Sequence, residues 1–400
     1  MKKIIIVNNN LKVGGVQKSL YNLLWSVSDR YDITLYLFSK SGEYVGQLPP
    51  AVKVETCTSL FRYLGLSQAE CKNNLRGRLT RGVLAALCKL FGRPFVMRFI
   101  ELSQQPLQEE YDVAISYLQN GKIRSFYGGV NEFVLKKVRA EKKIAFLHCD
   151  YENSGANNDK NNRLYYEFDM IAACSDGCRN TFLHIMPELK EKCVTVRNFH
   201  RYSYIQNLSA INPKLYTEGR IQVVMVGRLA HEKAIERGIQ AISYVNQAGI
   251  STDLNIIGDG PMMNRLLDVA NACNIKNHVH FYGEQKNPYR YMLNADLLLI
   301  TSYHEAAPMI IDEAYCLGLP VLSVSTTSSV EMILDRGCGW VCANSQSAIN
   351  RALEEILRNS SLLRTVRLHI RHAEVDNKET MSQFTSLIGD YDDTTSISTR

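Results

Sequence analysis

Two carboxylates with seven residues between them, Glu305 and Glu313, stand out as side chains whose type and spacing suit chemistry. They bracket Ala306, Ala307, Pro308 and Met309. An apolar run from Leu297 to Ile300 precedes this segment. A helical pattern reaching Leu317 and stopped by Gly318 follows it, and then a second apolar run from Pro320 to Val324. The sequence reads as strand, loop, helix, strand, the βαβ unit of a parallel sheet. Pro308 suits a first helical turn and Gly318 the position past a helix end. The loop thus lies at the carboxyl end of a strand and the amino end of a helix. Open α/β sheets bind ligands there, and free backbone N–H groups favour anions. An anion site with acids beside it points to a phosphorylated ligand that also presents hydroxyls. Other candidate groups lie past strand ends: Gly14 and Gly15, His148, and the cations Arg228 and Lys233. Glycines at 14 and 15 allow a sharp turn and close approach of the backbone to a ligand.

The elements that must position these groups recur in two similar series. Apolar strands are expected at 3–8, 33–38, 52–56, 112–117, 142–151, 170–175 and 193–197, with helices near 17–27 and 130–138. After a polar, turn-rich stretch at 200–219, strands are expected again at 220–226, 253–257, 278–283, 295–300, 320–324 and 339–342. Helices follow at 347–358, 361–372 and 378–389. The pattern is α/β throughout and doubled, giving domains 1–200 and 201–378. The turn Gly258-Asp259-Gly260-Pro261 opens a helix but has Met263 where a dinucleotide fingerprint needs its third glycine. With no strand followed by G-x-G-x-x-G, a nicotinamide dehydrogenase is disfavoured.

The E-x7-E spacing at Glu305 and Glu313, with the Gly227-Arg228-Leu229 and Glu232-Lys233 block, resembles glycosyltransferase family 4. Ala306, Ala307 and Pro308 depart from the commoner Gly-Phe-Gly of that family. The resemblance covers nearly the whole chain, strongly at 220–335 and weakly before 200. It implies the GT-B fold, two Rossmann-like domains facing each other across a cleft, with 1–200 binding the acceptor and 201–378 the donor. A helix at 379–390 is expected to cross back to the first domain. It implies a retaining, hexosyltransferase-like enzyme that moves a sugar from a nucleotide-diphosphate sugar to a hydroxyl of a lipid-linked or oligosaccharide acceptor. Surface-polysaccharide synthesis, of capsule or lipopolysaccharide type, is the setting implied. Arg228 and Lys233 then hold the diphosphate, aided by N–H groups from Ala307 to Met309. Glu313 accepts from the ribose hydroxyls, Glu305 meets the donor sugar, His148 faces that sugar, and Gly14 and Gly15 lie near the diphosphate. Fixed cations that meet the charge of a departing diphosphate need no metal. Neither metal nor cofactor is therefore expected, the nucleotide sugar being a substrate. A GT-B nucleotide-sugar epimerase, a sugar phosphorylase and a non-catalytic glycan-binding partner are the alternatives.

Bulk properties fit this reading. The 400 residues are 46% hydrophobic and 22% charged with a net charge of +6, a globular composition that does not by itself call for nucleic acid. No apolar run approaches the ~18 residues of a membrane span. The eleven cysteines, with C-x3-C pairs at Cys174/Cys178 and Cys338/Cys342 but no matching His/Cys set, read as reduced thiols rather than disulfides or a zinc site. From Cys71 to Ile100 there is no acid, while Lys72, Arg76, Arg78, Arg81, Lys89, Arg93 and Arg98 are basic. Leu79, Val83, Leu84, Leu87, Leu90 and Phe91 recur at helical spacing. Such a helix either lies on an anionic membrane through 72–98 or turns its apolar face to the core; the sequence leaves both open. The expected location is cytoplasmic, peripheral on the inner membrane. The last ten residues are expected to be disordered.

Overall fold

The apolar runs become the inner strands of two all-parallel sheets in the computed structural model, which describes residues 1–72 and 74–390. The tail 391–400, expected to be disordered, lies outside the described residues. The first sheet contains β1 (Lys3–Asn8), β2 (Asp32–Leu37), β3 (Lys53–Thr56), β4 (Glu110–Ser116), β5 (Arg139–Leu147), β6 (Met170–Ala173) and β7 (Cys193–Thr195), in the order β3-β2-β1-β4-β5-β6-β7. The second contains β8 (Ile221–Val226), β9 (Thr252–Ile257), β10 (Val279–Phe281), β11 (Leu297–Ile300), β12 (Val321–Val324) and β13 (Gly339–Cys342), in the order β10-β9-β8-β11-β12-β13. Both are Rossmann-like. Among the described residues, one unit is Met1–Phe199 with 377–390, and the other is His200–Asp376.

Strand order reverses once in each sheet, at β1–β4 and at β8–β11. Loops leaving adjacent strands at a reversal diverge to opposite faces and leave a crevice between them. The register pairs Val7 with Ser116 in the first sheet, and Leu298 with Val224 in the second. The inner strands β1, β8, β11 and β12 are apolar over most of their length because both faces are covered. Val223, Met225, Leu297 and Leu299 face one core, while Val224, Leu298 and Ile300 face the other. Each fully buried Leu or Ile there contributes ~1.5–3 kcal/mol, so the strands that aim the loops are stiff. Helix Lys378–Leu387 sets Phe384 and Leu387 into the first unit's core, with Phe384 against Tyr31 and Phe199.

Several expectations are corrected. The turn-rich stretch at 200–219 holds a helix, Tyr202–Ser209. Helices Asp159–Tyr166 and Asp176–Ile185 occupy stretches that showed no clear apolar period. Their signals are the caps: the Asn158 side chain accepts from Asn161 N–H and Ser175 from Cys178 N–H. Pro308 is the N-cap of helix Met309–Cys316 rather than part of its first turn. The basic stretch forms two helices, Leu75–Phe91 and Arg93–Leu102, separated at Gly92. Its apolar residues divide: Leu84 turns inward, while Leu79, Val83, Leu90 and Phe91 are exposed. The core-facing alternative therefore fails for most of that stripe. All eleven cysteines are free. No helix among the described residues is long and apolar enough to cross a membrane.

Candidate active site

Because β8 and β11 are neighbours, the segments that leave Val226 and Ile300 emerge side by side. This brings together two candidates 72 residues apart: Lys233 Nζ lies 2.5 Å from Glu305 Oε1. Ser302 Oγ donates to the same oxygen at 2.7 Å. The two loops are also tied through their backbones, since Tyr303 N–H donates to the Glu232 carbonyl at 2.9 Å and Thr301 Oγ1 to that of Ala234 at 2.9 Å. Ala234 holds a left-handed φ of 46° that turns the chain from Lys233 into helix Ile235–Gln247. Arg228, earlier in the same segment after β8, is exposed and makes no ion pair among the described residues. Gly258 is fixed by packing: a Cβ there would lie 1.9 Å from the Gly227 carbonyl oxygen, so the β8 and β9 tips can touch only without a side chain.

The two glutamates differ. The Glu305 side chain keeps 13% of its surface and is compensated by Lys233. Glu313, within helix Met309–Cys316, is only 2% exposed. Pro308 has no N–H, so of the three expected backbone donors only Ala307 and Met309 have one to give.

A supporting layer was not read from the sequence. Arg237 is buried and donates through Nη1 to the Thr301 carbonyl at 3.0 Å and to Asn344 Oδ1 at 2.6 Å. Its guanidinium also lies over the Tyr303 ring, 5.3 Å from the centroid. Asn344, just past β13, sets Nδ2 3.1 Å from the Tyr303 carbonyl, 3.4 Å from that of Ser302 and 3.3 Å from that of Ser325. Together they clamp the loop that leads to Glu305. A second cluster holds the helix that carries Glu313. Asp312 lies 2.5 Å from Arg336 Nη1 and 3.2 Å from His200 Nε2. Burial alone would raise the Asp312 carboxyl, but His200 and Arg336 hold it well below the usual carboxylate range.

The first unit's candidates sit in a different setting. His148 follows β5, and its backbone N–H donates to Gln119 Oε1 at 3.2 Å. The ring packs against Tyr117 and Phe146, with centroids 4.7 and 5.7 Å away. Its Nε2 is enclosed and has no hydrogen-bond partner among the described residues. Burial pushes the imidazole down to about 3, so it is neutral near pH 7. At the β1–β4 reversal, Ser19 Oγ bonds the Tyr117 hydroxyl at 2.7 Å and Asn198 Oδ1 at 2.6 Å. The reading of Gly14 and Gly15 as a tight turn is corrected. Gly14 has an extended φ of 174° as the N-cap of helix Gly15–Val27, and neither glycine has a left-handed φ. At Gly15 the space where a Cβ would sit is open.

Residues 210–371 match the family described as glycosyl transferases group 1. Over 179 residues the chain is 30% identical to an uncharacterised glycosyltransferase of Methanocaldococcus jannaschii, covering 43% of this chain and 44% of that protein. Over 152 residues it is 28% identical to the lipopolysaccharide glucosyltransferase WaaG of Escherichia coli K12, covering 38% of this chain and 41% of that protein. The chain thus spans less than half the length of these two curated relatives. Among solved structures, Anabaena HepE in complex with UDP and glucose aligns over 98% of this chain and 100% of its own, with a TM-score of 0.70 at 17% identity. WaaG aligns over 96% and 97%, with a TM-score of 0.60 at 17% identity. These likenesses carry the fold, GT-B, while the sequence match to glycosyl transferases group 1 is confined to residues 210–371.

Proposed function

We propose that the protein is a retaining glycosyltransferase of the family 4 type. It transfers a hexose from a nucleotide-diphosphate sugar to a hydroxyl of a lipid-linked glycan during surface-polysaccharide synthesis, at the cytoplasmic face of an anionic membrane. The observation that carries this reading is the Lys233–Glu305 pair at the β8–β11 reversal, with Arg228 exposed in the same segment as Lys233. A diphosphate gains charge as its bond to the sugar breaks, and cations fixed in advance stabilise that charge more than they stabilise the intact donor. Arg228 and Lys233 supply them, with the N–H groups of Ala307 and Met309 at a helix start. Lys233 exchanges its Glu305 partner for the diphosphate, which releases Glu305 toward the sugar and its developing positive charge. Glu313, under the loop, accepts from the ribose hydroxyls. In the first unit, His148, neutral and with Nε2 unengaged, accepts a hydrogen bond from a sugar hydroxyl, and Gly14 and Gly15 leave room for a ligand close to their backbone. The UDP and glucose bound by HepE and the glucosyl transfer in the name of WaaG support a nucleotide-sugar donor.

The test is a thermal-shift screen of UDP, GDP, ADP and CMP with their common sugar conjugates. A ligand that binds only the folded state raises the melting temperature by mass action. One nucleotide is expected to stabilise the wild type, with a smaller shift in Glu313→Ala. No shift with any of them at about 100 times a micromolar-range Kd, where ~2.7 kcal/mol of stabilisation is due, would overturn the reading. Transfer is expected to survive EDTA. Loss that magnesium restores would remove the metal-free account of diphosphate departure.

A further inference from the structure

The helix Leu75–Phe91 turns its apolar side outward. Its inward residues are Gly77, Leu84 and Cys88. On the opposite side, Leu75, Leu79, Val83 and Leu90 retain between 57% and 70% of their surface. At ~100° per residue, positions 75, 79, 83, 86 and 90 fall within an arc of about 80°, a stripe along the whole helix. Ala86 fills the gap between Val83 and Leu90 and is also exposed. Phe91, at the helix end outside that arc, and Phe99 and Leu102 in the next helix are also exposed, and Phe91, Phe95 and Phe99 form a ladder with ring centroids 5.0 and 5.4 Å apart.

The charges around the stripe have one sign. Arg76 borders one side of it, Arg78 and Lys89 the other, and Lys72 and Arg98 are exposed nearby. None of these five makes an ion pair among the described residues. The remaining two cations of the stretch serve the fold. Arg81 donates to the Leu66 carbonyl and to Gln68 Oε1, and Arg93 is buried beside Glu132. A helix start is also secured without acid, since the Asn74 side chain accepts from Gly77 N–H. A protein would rarely leave so much contiguous apolar surface to water without an occupant. An apolar stripe rimmed by cations fits a surface that is oily beneath and negative above.

We propose that this face docks on an anionic lipid bilayer. Leu75, Leu79, Val83, Leu90 and Phe91 enter the interfacial zone, and Arg76, Arg78, Lys89, Lys72 and Arg98 meet the headgroup phosphates. This deepens the membrane part of the proposed function by assigning the side chains and the lipid chemistry. It stands on the surface alone and needs neither donor nor acceptor. The partition has two separable parts, an apolar one that salt leaves intact and an electrostatic one that salt screens.

The experiment is co-sedimentation of the full chain with vesicles of phosphatidylcholine alone, or with about one-third phosphatidylglycerol, at low and high salt and without nucleotide. Wild type is expected to bind the phosphatidylglycerol vesicles at least ~10-fold more than phosphatidylcholine, less so at high salt. Leu79→Gln with Val83→Gln should cut binding ~10-fold at both salts, because these side chains are solvated in the free protein and their loss spares the fold. Arg78→Gln with Lys89→Gln should cut it mainly at low salt. Unchanged melting temperatures would show that both variants fold. Equal binding to both vesicle types, no binding, or variants that bind like wild type would overturn the proposal. So would a concentration-dependent dimer that the Leu79/Val83 variant abolishes while vesicle binding is absent, since the face would then serve a second copy. Because the readout uses no substrate, its failure leaves the transferase reading standing, and a failed nucleotide screen leaves this one standing.

Discussion

At the β8–β11 tip, Lys233 and Glu305 hold opposite charges 2.5 Å apart, Ser302 steadies the carboxylate, and buried Arg237 adds a second cation whose polar contacts are a carbonyl and an amide oxygen. At the tip of the first sheet, the corresponding groups are a tyrosine, a serine, an asparagine and an imidazole held neutral by burial. Both tips arise from the same chain reversal. What differs is the solvent each offers a ligand. The second tip is preorganised with charge and suits an anion, because its dipoles and cations need no rearrangement as negative charge grows. The first is low in charge and aromatic, and suits a hydroxyl-bearing ring that exchanges water for a few directed hydrogen bonds.

The strongest way to break this contrast is to remove charge from the second tip. Lys233→Ala should lower kcat/KM by ~10²–10³, as expected for losing one fixed partner of a developing oxyanion. Glu305→Gln should act differently. It leaves Lys233 without its competitor, so nucleotide affinity should hold or rise while kcat falls. Isothermal titration with the stabilising nucleotide separates the two. If both variants lose affinity equally, the pair is a structural clip and not a preorganised anion site.

The neutral tip can be tested by pH. The folded-state value for His148 lies below the ~6.5 of an unfolded histidine, so the unfolded chain binds more protons between those limits. Stability should therefore be undiminished above pH 6.5 and fall as pH drops, by up to ~1.4 kcal/mol per unit until the ring protonates near 3. Urea midpoints at pH 7, 6 and 5 measure this. His148→Gln cannot protonate and should flatten that part of the curve. A variant curve parallel to wild type would assign the acid sensitivity to other groups and return His148 to an ordinary titrating site.

Arg237→Ala probes whether the charged tip depends on its clamp. Losing a buried donor while the Thr301 carbonyl and Asn344 remain should cost ~2–3 kcal/mol in urea midpoint. Asn344→Ala should cost about 1 kcal/mol, because that side chain is more exposed, yet should raise the donor KM by loosening the loop before Glu305. Loss of stability with an unchanged KM would confine the clamp to folding.

Lys233 and Glu305 were legible singly, because each lies in a compact motif next to an apolar strand, whereas their pairing came only from the neighbouring β8 and β11. Arg237 and Asn344 were not, because they act on backbone carbonyls far along the chain, 64 residues away for Thr301 and 41 for Tyr303, and any residue type supplies a carbonyl. The inner strands were legible for the reason they are buried: two covered faces favour runs of apolar residues, as in Ile4–Val7 and Leu297–Ile300. The basic helix was half legible. The sequence grouped Leu79 with Leu84, which stand ~140° apart on a helix. Only packing decided that Leu84 and Cys88 would turn inward and Leu79 outward. Short helices capped by Asn158 and Ser175 were missed because a cap is a single residue with no periodic echo.

The smallest expected effect sharpens the contrast from the neutral side. Gly15 begins helix Gly15–Val27 with no left-handed φ, and nothing lies within 4 Å of where its Cβ would be. Neither strain nor packing explains a glycine there, so Gly15→Ala should be neutral to stability or gain ~0.4–1 kcal/mol by restricting the unfolded chain. If the loop serves close approach of a ligand to its backbone, the added methyl should still raise KM several-fold. A higher melting temperature together with weaker substrate binding would mark the open space as functional. If stability and KM both stay put, the glycine belongs to a plain strand-to-helix turn, and the first tip's ligand contacts must come from its side chains, from His148, Tyr117 and Ser19. Gly14→Ala cannot substitute for this test. Its Cβ would lie 2.6 Å from Gln17 Oε1, so a shifted Gln17 would mix a packing effect into the result.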